Sequence, residues 1–414
     1  MLDAILPRTP WQRNLALLWI IQFCALAAVS MGNPFIPLFI HRDLAVADKD
    51  VKLYSGLLQA SFFICSAIMA PIWGTWADQK GRRLMIIRAL LGSGAGVLAM
   101  AFAHNVSTLF VIRMAQGMTG GLIAATAALV ASMVPRERMG YSLGMMQTSL
   151  TSAHFVGPLI GGVVVDYIGY RGSFMIGSVV CFACAAIVWQ VVHEDFTPVP
   201  AQDRMNFRDN LTLLRDNEVL KHAALAIFLS QLAIMIISPI LPLFVQQLMG
   251  KEHARLNSVV GLMNGLPALT GFLAAPFWGR AGDRRGYATT LGYALLGSGL
   301  IYAPQAIASS VLTLGVLRAA VGAFNAGISP AAQAIAGNAT DRRRTGAAIS
   351  LLTSARMFGG FIGPVLGGLV ATYFGWWEVF LLTAWLQIAA ATLVFKRLQV
   401  IAGVEVPVSQ LESR

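Results

Sequence analysis

Long apolar runs separated by short charged or turn-rich breaks occupy most of the chain, near 14–40, 53–77, 84–104, 106–134, 141–168, 173–192, 219–248, 256–280, 288–308, 311–338, 345–373 and 376–395. A membrane-crossing helix takes about 20 mostly apolar residues, so the pattern predicts twelve spans and an all-α polytopic membrane protein. The runs are too long, and alternate too little, for the strands of a membrane barrel. Arg8 and Arg13 precede the first run, and Ala25-Leu26-Ala27 is like a signal cleavage site. The apolar character nevertheless continues from Pro34 to Ile40, which predicts a retained first span. The longest polar interruption, from His193 to about Glu218, divides the spans six and six. The expected organisation is an N-terminal six-helix bundle (1–192), a cytoplasmic central loop (193–218), and a C-terminal six-helix bundle with a short cytoplasmic tail (219–414).

The two halves repeat each other. At a shift of 205 residues, Ala70–Gly94 matches Ala275–Gly299 at twelve positions, including Ala-Pro-x-Trp-Gly, Asp78/Asp283 and Ala-Leu-Leu-Gly-Ser-Gly. The same shift superposes Thr108-Leu109-x-Val111-x-Arg113 on Thr313-Leu314-x-Val316-x-Arg318. A shift of 206 aligns Gly157-Pro158 with Gly363-Pro364. An even number of spans per copy relates the halves by an axis along the membrane normal, an arrangement that places a binding site at the midplane and suits alternating access.

Composition removes one whole class. The chain is 57% hydrophobic and 12% charged, against about 25% charged in soluble domains, which excludes a water-soluble globule. The net charge of +11 resolves into topology. Of the lysines and arginines, 21 fall on one side of the predicted spans, 6 on the other and 3 within spans. The richer side is cytoplasmic, so both termini are expected inside a multi-pass protein of the cell inner membrane, with no nucleic-acid partner. Cys24, Cys65, Cys181 and Cys184 lie in apolar runs and read as small hydrophobes.

In the turn after span two, Gly74-Thr75-Trp76-Ala77-Asp78-Gln79-Lys80-Gly81-Arg82-Arg83 combines a small helix-packing residue, an acid at a helix end and a tight reversal. It reads either as a charged cytoplasmic gate or as a solvated basic turn. Gly279, Asp283 and Arg284 repeat it. In span five, Gly157-Pro158-Leu159-Ile160-Gly161-Gly162 joins a kinking proline to glycines that admit a neighbouring helix, and Gly363-Pro364-Val365-Leu366-Gly367-Gly368 repeats this in span eleven. Together with Arg113-Met114-Ala115-Gln116-Gly117, these elements resemble the signatures of the major facilitator superfamily: its G-x-x-x-D-R-x-G-R-R turn (with Gln79 for the usual Arg), its R-x-x-Q-G element and its G-P-x-x-G-G antiporter motif. The resemblance covers nearly the whole chain and points to the twelve-span drug/proton antiporter branch. It implies the major facilitator fold, proton coupling near Arg113, and export.

Ionisable groups within a membrane are costly and mark function. Arg113, Arg318, Arg356 and His154 are the candidates for substrate and proton coupling, with Gln116. Gln22, Asn33, Gln59, Gln147, Gln231, Asn264 and Asn325 can line a cavity or bond helix to helix. All 19 acids fall in loops, tails or span ends, nearest the membrane at Asp78, Asp166 and Asp283. Bases without acids at mid-depth predict a small anionic or zwitterionic substrate, such as an acidic antibiotic or a carboxylate metallophore. The proton carrier is then His154, Asp78, Asp166 or the substrate itself. The same arginines suit an importer of an anionic solute. A membrane sensor lacks a signalling domain, and an enzyme lacks H-E-x-x-H or intramembrane Asp pairs. With no phosphate-binding loop, the energy source is an ion gradient. No cofactor or metal is expected, and the expected unit is a monomer in the lipid bilayer.

Overall fold

The computed structural model describes residues 10–135, 138–194, 196, 207–250, 253–340 and 344–398. The helices are α1 (Pro10–Gly32), α2 (Ile36–Arg42), α3 (Asp48–Lys80), α4 (Arg82–Ala101), α5 (Val106–Met118), α6 (Leu122–Met133), α7 (Met139–Val191) and α8 (Phe207–Asp216). The second half holds α9 (Glu218–Ile237), α10 (Leu241–Met249), α11 (Leu256–Arg285), α12 (Tyr287–Gln305), α13 (Val311–Asn325), α14 (Ile328–Asn338), α15 (Thr345–Tyr373) and α16 (Trp376–Leu393).

Among the described residues, ten segments are long and apolar enough to cross a membrane. One of them, α7, is two helices meeting at Gly169, whose φ of 77° suits glycine. With α12 this makes the twelve spans expected. Four spans are interrupted. Span one breaks at Asn33-Pro34-Phe35 and span seven at Ser238-Pro239-Ile240; span four breaks at Thr119–Gly121 and span ten at Ala326-Gly327. The first pair is equivalent under the 205-residue shift, and the second overlaps under it at Ala326. The repeat extends to hydrogen bonds. Asn105 Oδ1 accepts from Thr108 N at 2.7 Å and Ser310 Oγ from Thr313 N at 3.1 Å, capping α5 and α13. Trp73 Nε1 donates to Met118 O, and Trp278 Nε1 to Ala323 O, each at 2.6 Å.

Contacts sort the chain into two units, one of 1–204, 238–269 and 364–373, the other of 205–237, 270–363 and 374–414. The first therefore includes parts of spans seven, eight and eleven beside the first six. Its core packs Leu18, Leu90, Val130 and Val188. That of the second is rich in alanine, including Ala223, Ala294, Ala332 and Ala390, which lets helix backbones approach closely. Large apolar side chains such as Val111, Leu273, Leu312 and Trp385 are exposed, as a lipid-facing surface requires. Helix α8 falls within the expected central loop.

Candidate functional site

An interrupted helix frees polar groups that a membrane cannot solvate; at or beside each of the four breaks a residue bonds a side chain of another helix, and at Gly120 the bonded atom is a backbone carbonyl. Arg113, only 4% exposed on α5, donates through Nη1 to Asn33 Oδ1 at the span-one break and to Gln116 Oε1, both at 3.0 Å. Its guanidinium lies over the Phe62 ring at 4.9 Å. No carboxylate is among these partners. At the span-four break, Arg88 Nη2 donates to Gly120 O at 2.7 Å while stacking on Trp73 at 3.7 Å. At the span-seven break, Gln59 Nε2 donates to Ser238 Oγ at 3.0 Å. At the span-ten break, Asn325 Oδ1 accepts from Ser298 Oγ at 2.7 Å and its side chain bonds the hydroxyl of Tyr302, which lies beside Arg318.

The remaining candidates separate by environment. Arg356 Nη2 donates to Ser329 Oγ at 2.6 Å, linking α15 to α14. His154 is exposed, and its Nδ1 bonds Leu150 O at 2.8 Å. A carbonyl only accepts, so Nδ1 carries hydrogen and Nε2 of the neutral ring is left as a proton acceptor. Gln22 is 1% exposed and is consumed by structure: it donates to Met146 O at 3.0 Å and Ser149 Oγ at 2.7 Å, and accepts from Thr126. Asn264 bonds Val260 O of its own helix. Gln147 is exposed, and Gln231 is half-buried against Gly359.

The glycine-proline elements form seams. Gly157 sits against Ala27 and Ser30, and Gly161 against Met31, both on α1. Gly162 meets Asn257, and a side-chain carbon at Gly261 would run into Pro158 O, so α7 and α11 touch backbone to backbone. The repeat joins α15 to α3 in the same way: Gly368 lies against Lys52 and Leu53, and Gly56 against Pro364 O. Gly363 packs on Leu232 and Met235, and Gly367 is buried. Asp166 accepts from the Asn257 and Ser258 amides at 3.1 and 2.8 Å, and from Asn257 Nδ2 and Ser258 Oγ at 2.9 and 2.5 Å. On the other seam, Lys52 Nζ donates to Ala371 O at 2.9 Å.

In the basic turn, Gly81 has a φ of 95°, a conformation that favours glycine. Glu194 accepts from the Arg82 and Arg83 amides at 3.0 and 2.7 Å, capping α4. Arg83 donates to Val188 O and Trp189 O at the end of α7. Both arginines thus fasten α4 to the end of span six. Gly74 and Gly279 have open space where a side chain would stand, so the close packing expected of them is absent in this conformation. Asp283 accepts from Tyr287 at 2.6 Å, and Arg284 is exposed. The Asp78 side chain lies outside the described residues. Sequence reasoning did not single out Glu194, Tyr302, Ser238, Ser329 or Arg88. The 205-residue repeat offered a signal for Ser238, the counterpart of Asn33, and for Trp73 and Trp278.

The family model described as "Major Facilitator Superfamily" matches residues 18–259 and 223–410. The chain belongs to the major facilitator superfamily. Within it, the chain is 35% identical over 374 residues to the multidrug resistance protein MdtG of Yersinia enterocolitica, covering 90% of each. It is 32% identical over 378 residues to MdtG of Escherichia coli O81 (strain ED1a), covering 91% of this chain and 92% of that one. Its fold matches a bacterial homologue of the human lysosomal transporter Spinster with a TM-score of 0.77 at 14% identity, over 95% of this chain and 98% of that one. This superfamily member is therefore a membrane transporter of small molecules, and not an enzyme.

Proposed function

We propose that the protein is a proton-coupled exporter of small amphipathic anionic or zwitterionic compounds. It works by alternating access, as a monomer in the cell inner membrane with both termini cytoplasmic, and its six-helix bundles are 1–192 and 219–414, joined by 193–218. The observation that carries the substrate class is Arg113: a buried guanidinium whose partners are amides and an aromatic ring. A buried charge without a counter-charge is unfavourable, and an incoming carboxylate or phosphonate relieves it with charge-assisted hydrogen bonds. Arg356, held by a neutral hydroxyl, supplies a second such group.

Export as the direction is supported by the relatives named for multidrug resistance. Alternating access is supported by the paired interrupted helices, which in transporters mark binding at the repeat interface. It is supported too by the contrast between tight glycines at Gly56, Gly162, Gly261 and Gly368 and bare ones at Gly74 and Gly279.

The test is uptake into inside-out proteoliposomes under an imposed pH gradient, with carboxyfluorescein as anionic probe and rhodamine 6G as cationic probe. Carboxyfluorescein is expected to accumulate, and Arg113→Met or Arg356→Met to reduce its flux at least about tenfold, the loss of one charge-assisted hydrogen bond. Movement of the cation alone, with both variants unimpaired, overturns the substrate class. Insensitivity to the pH gradient overturns the coupling, and accumulation of the anion only in the opposite sense favours import.

A further inference from the structure

Helix α11 begins with unsatisfied amides and carries no acid in its own first turn. The negative charge that complements them comes from Asp166 on α7, whose carboxylate receives two backbone and two side-chain donors from Asn257 and Ser258. The carboxylate also borders a cavity of about 620 Å³. Facing it there are Tyr170 and Arg171 of α7, Arg42 and Asp43 at the end of α2, and His253 ahead of α11. Tyr170 donates to Asn257 Oδ1 at 3.1 Å. Arg171 is committed elsewhere, to Ala101 O and Ala103 O at 2.6 and 2.9 Å and to Asp43 at 3.6 Å. Asp166 therefore accepts from donors at the start of α11 and borders an open cavity through which a proton can arrive. By the bias of basic residues, this end lies outside.

The other seam is held by a different charge. Under the 206-residue shift Asp166 corresponds to Thr372, and there Lys52 donates to the α15 carbonyl of Ala371. An ammonium already carries its proton, so acidification leaves that contact alone. Among the described residues, the α7–α11 seam is the one bridged directly by a carboxylate, whereas at the other seam the nearest acid, Asp48, acts on Lys52 rather than on α15.

We propose that Asp166 is the proton-operated latch of the outer seam: as a carboxylate it holds α7 to α11, and a proton arriving from outside releases α11 and opens that end. Binding a proton removes the charge opposite the helix terminus and turns one accepting oxygen into a donor, so the four-donor arrangement is no longer satisfied. The latch sets when the outer end opens, on the side where an exporter releases its substrate; carrying the proton inward falls to another group. The inference rests on the proposed proton-coupled export.

The test reads the seam with no transported compound present. Spin labels at Tyr167→Cys and Ala254→Cys, both exposed positions flanking the latch, are followed by dipolar broadening of the continuous-wave spectrum in liposomes from pH 8 to pH 5. The full-length protein keeps its native thiols, and the unmutated parent serves as the labelling blank. Broadening is expected at pH 8 and lost at a single midpoint on acidification. Asp166→Asn is expected to lack broadening at every pH. Ser258→Ala removes one of the four donors that hold the seam, so its broadening at pH 8 is expected to be weaker than the parent's. Asp43→Asn and His253→Gln keep the parent's midpoint. Retention of the parent's transition in Asp166→Asn, or its disappearance in Asp43→Asn or His253→Gln, overturns the proposal. If Asp166→Asn does not fold, undiminished broadening in Ser258→Ala at pH 8 does so. A normal spectral transition in a protein that shows no proton-driven flux leaves the latch standing and defeats the export reading instead.

Discussion

Replacing Gly261 by alanine places a methyl group against Pro158 O, well inside the 3.0 Å that side-chain carbons keep from other atoms. The obstacle is backbone on a helix fixed by its own packing, so it cannot swing aside as a flexible side chain would. Helices α7 and α11 must move apart, loosening the contact of Gly162 with Asn257 and the donors that hold Asp166. Overpacking of this kind costs about 1–3 kcal/mol. The cost falls only on the conformation in which the seam is closed, so the ratio of closed to open molecules should drop by about 5- to 150-fold. Gly74→Ala provides the opposite perturbation. It meets nothing within 4 Å here, gains roughly 0.5–1 kcal/mol of helix propensity, and under the proposed alternating access is penalised only in a state that packs a neighbour against Gly74. The assay is the rate at which a membrane-impermeant maleimide modifies Ala254→Cys in intact cells. Gly261→Ala should raise that rate and Gly74→Ala should lower it. Movement of both in the same direction, or an unchanged rate in folded Gly261→Ala, refutes the assignment of these glycines to opposite gates.

Three other outcomes are expected. Trp73→Phe and Trp278→Phe each remove one indole hydrogen bond to a span-end carbonyl, so each should cost about 0.5–1.5 kcal/mol. The double variant should be additive within about 0.5 kcal/mol, as read by thermal unfolding in detergent. Glu194→Gln keeps the shape of the α4 cap while removing its charge and its pairing with Arg82; a loss of about 1 kcal/mol is expected in the same measurement, shrinking little with salt because the carboxylate is buried. Burial holds the Asp43 carboxyl above the usual carboxylate range, and the positive charge of Arg171 works against that rise. Removing this charge in Arg171→Ala disfavours the ionised form, so Asp43 should take up its proton at higher pH, seen as a shifted carboxyl stretch in infrared difference spectra with Asp43→Asn as the blank.

The spans were legible because a bilayer imposes a length on every crossing helix, and twelve runs met it within a few residues. The duplication was legible for the same kind of reason: Ala-Pro-x-Trp-Gly survives in both halves, and its tryptophans make the same hydrogen bond. The helix breaks were hidden inside those runs. Phe35, Ile36 and Pro37 are as apolar as any helix interior, and hydropathy does not register that the backbone changes course at Asn33. Polar side chains were misleading in proportion to how far away their partners sit. Gln22 looks like a cavity-lining amide, yet Thr126 and Ser149, more than a hundred residues later, take up its bonding capacity. Asp166 looked like a span-end acid because its donors lie 91 and 92 residues on. Glu194 was absorbed into a polar stretch because nothing local indicates that it caps a helix 111 to 112 residues earlier.

The four interrupted spans recur at matching or overlapping places in the two copies, while the side chains bonded there differ, apart from the Trp73 and Trp278 pair. Asn33 receives an arginine and Ser238 an amide; the carbonyl of Gly120 receives a stacked guanidinium, and Asn325 a serine and a tyrosine. The duplication therefore preserved the sockets and let the plugs diverge. A substitution that disturbs one break therefore leaves its counterpart held by unrelated bonds, so the two halves can vary independently at these places without losing both anchors at once.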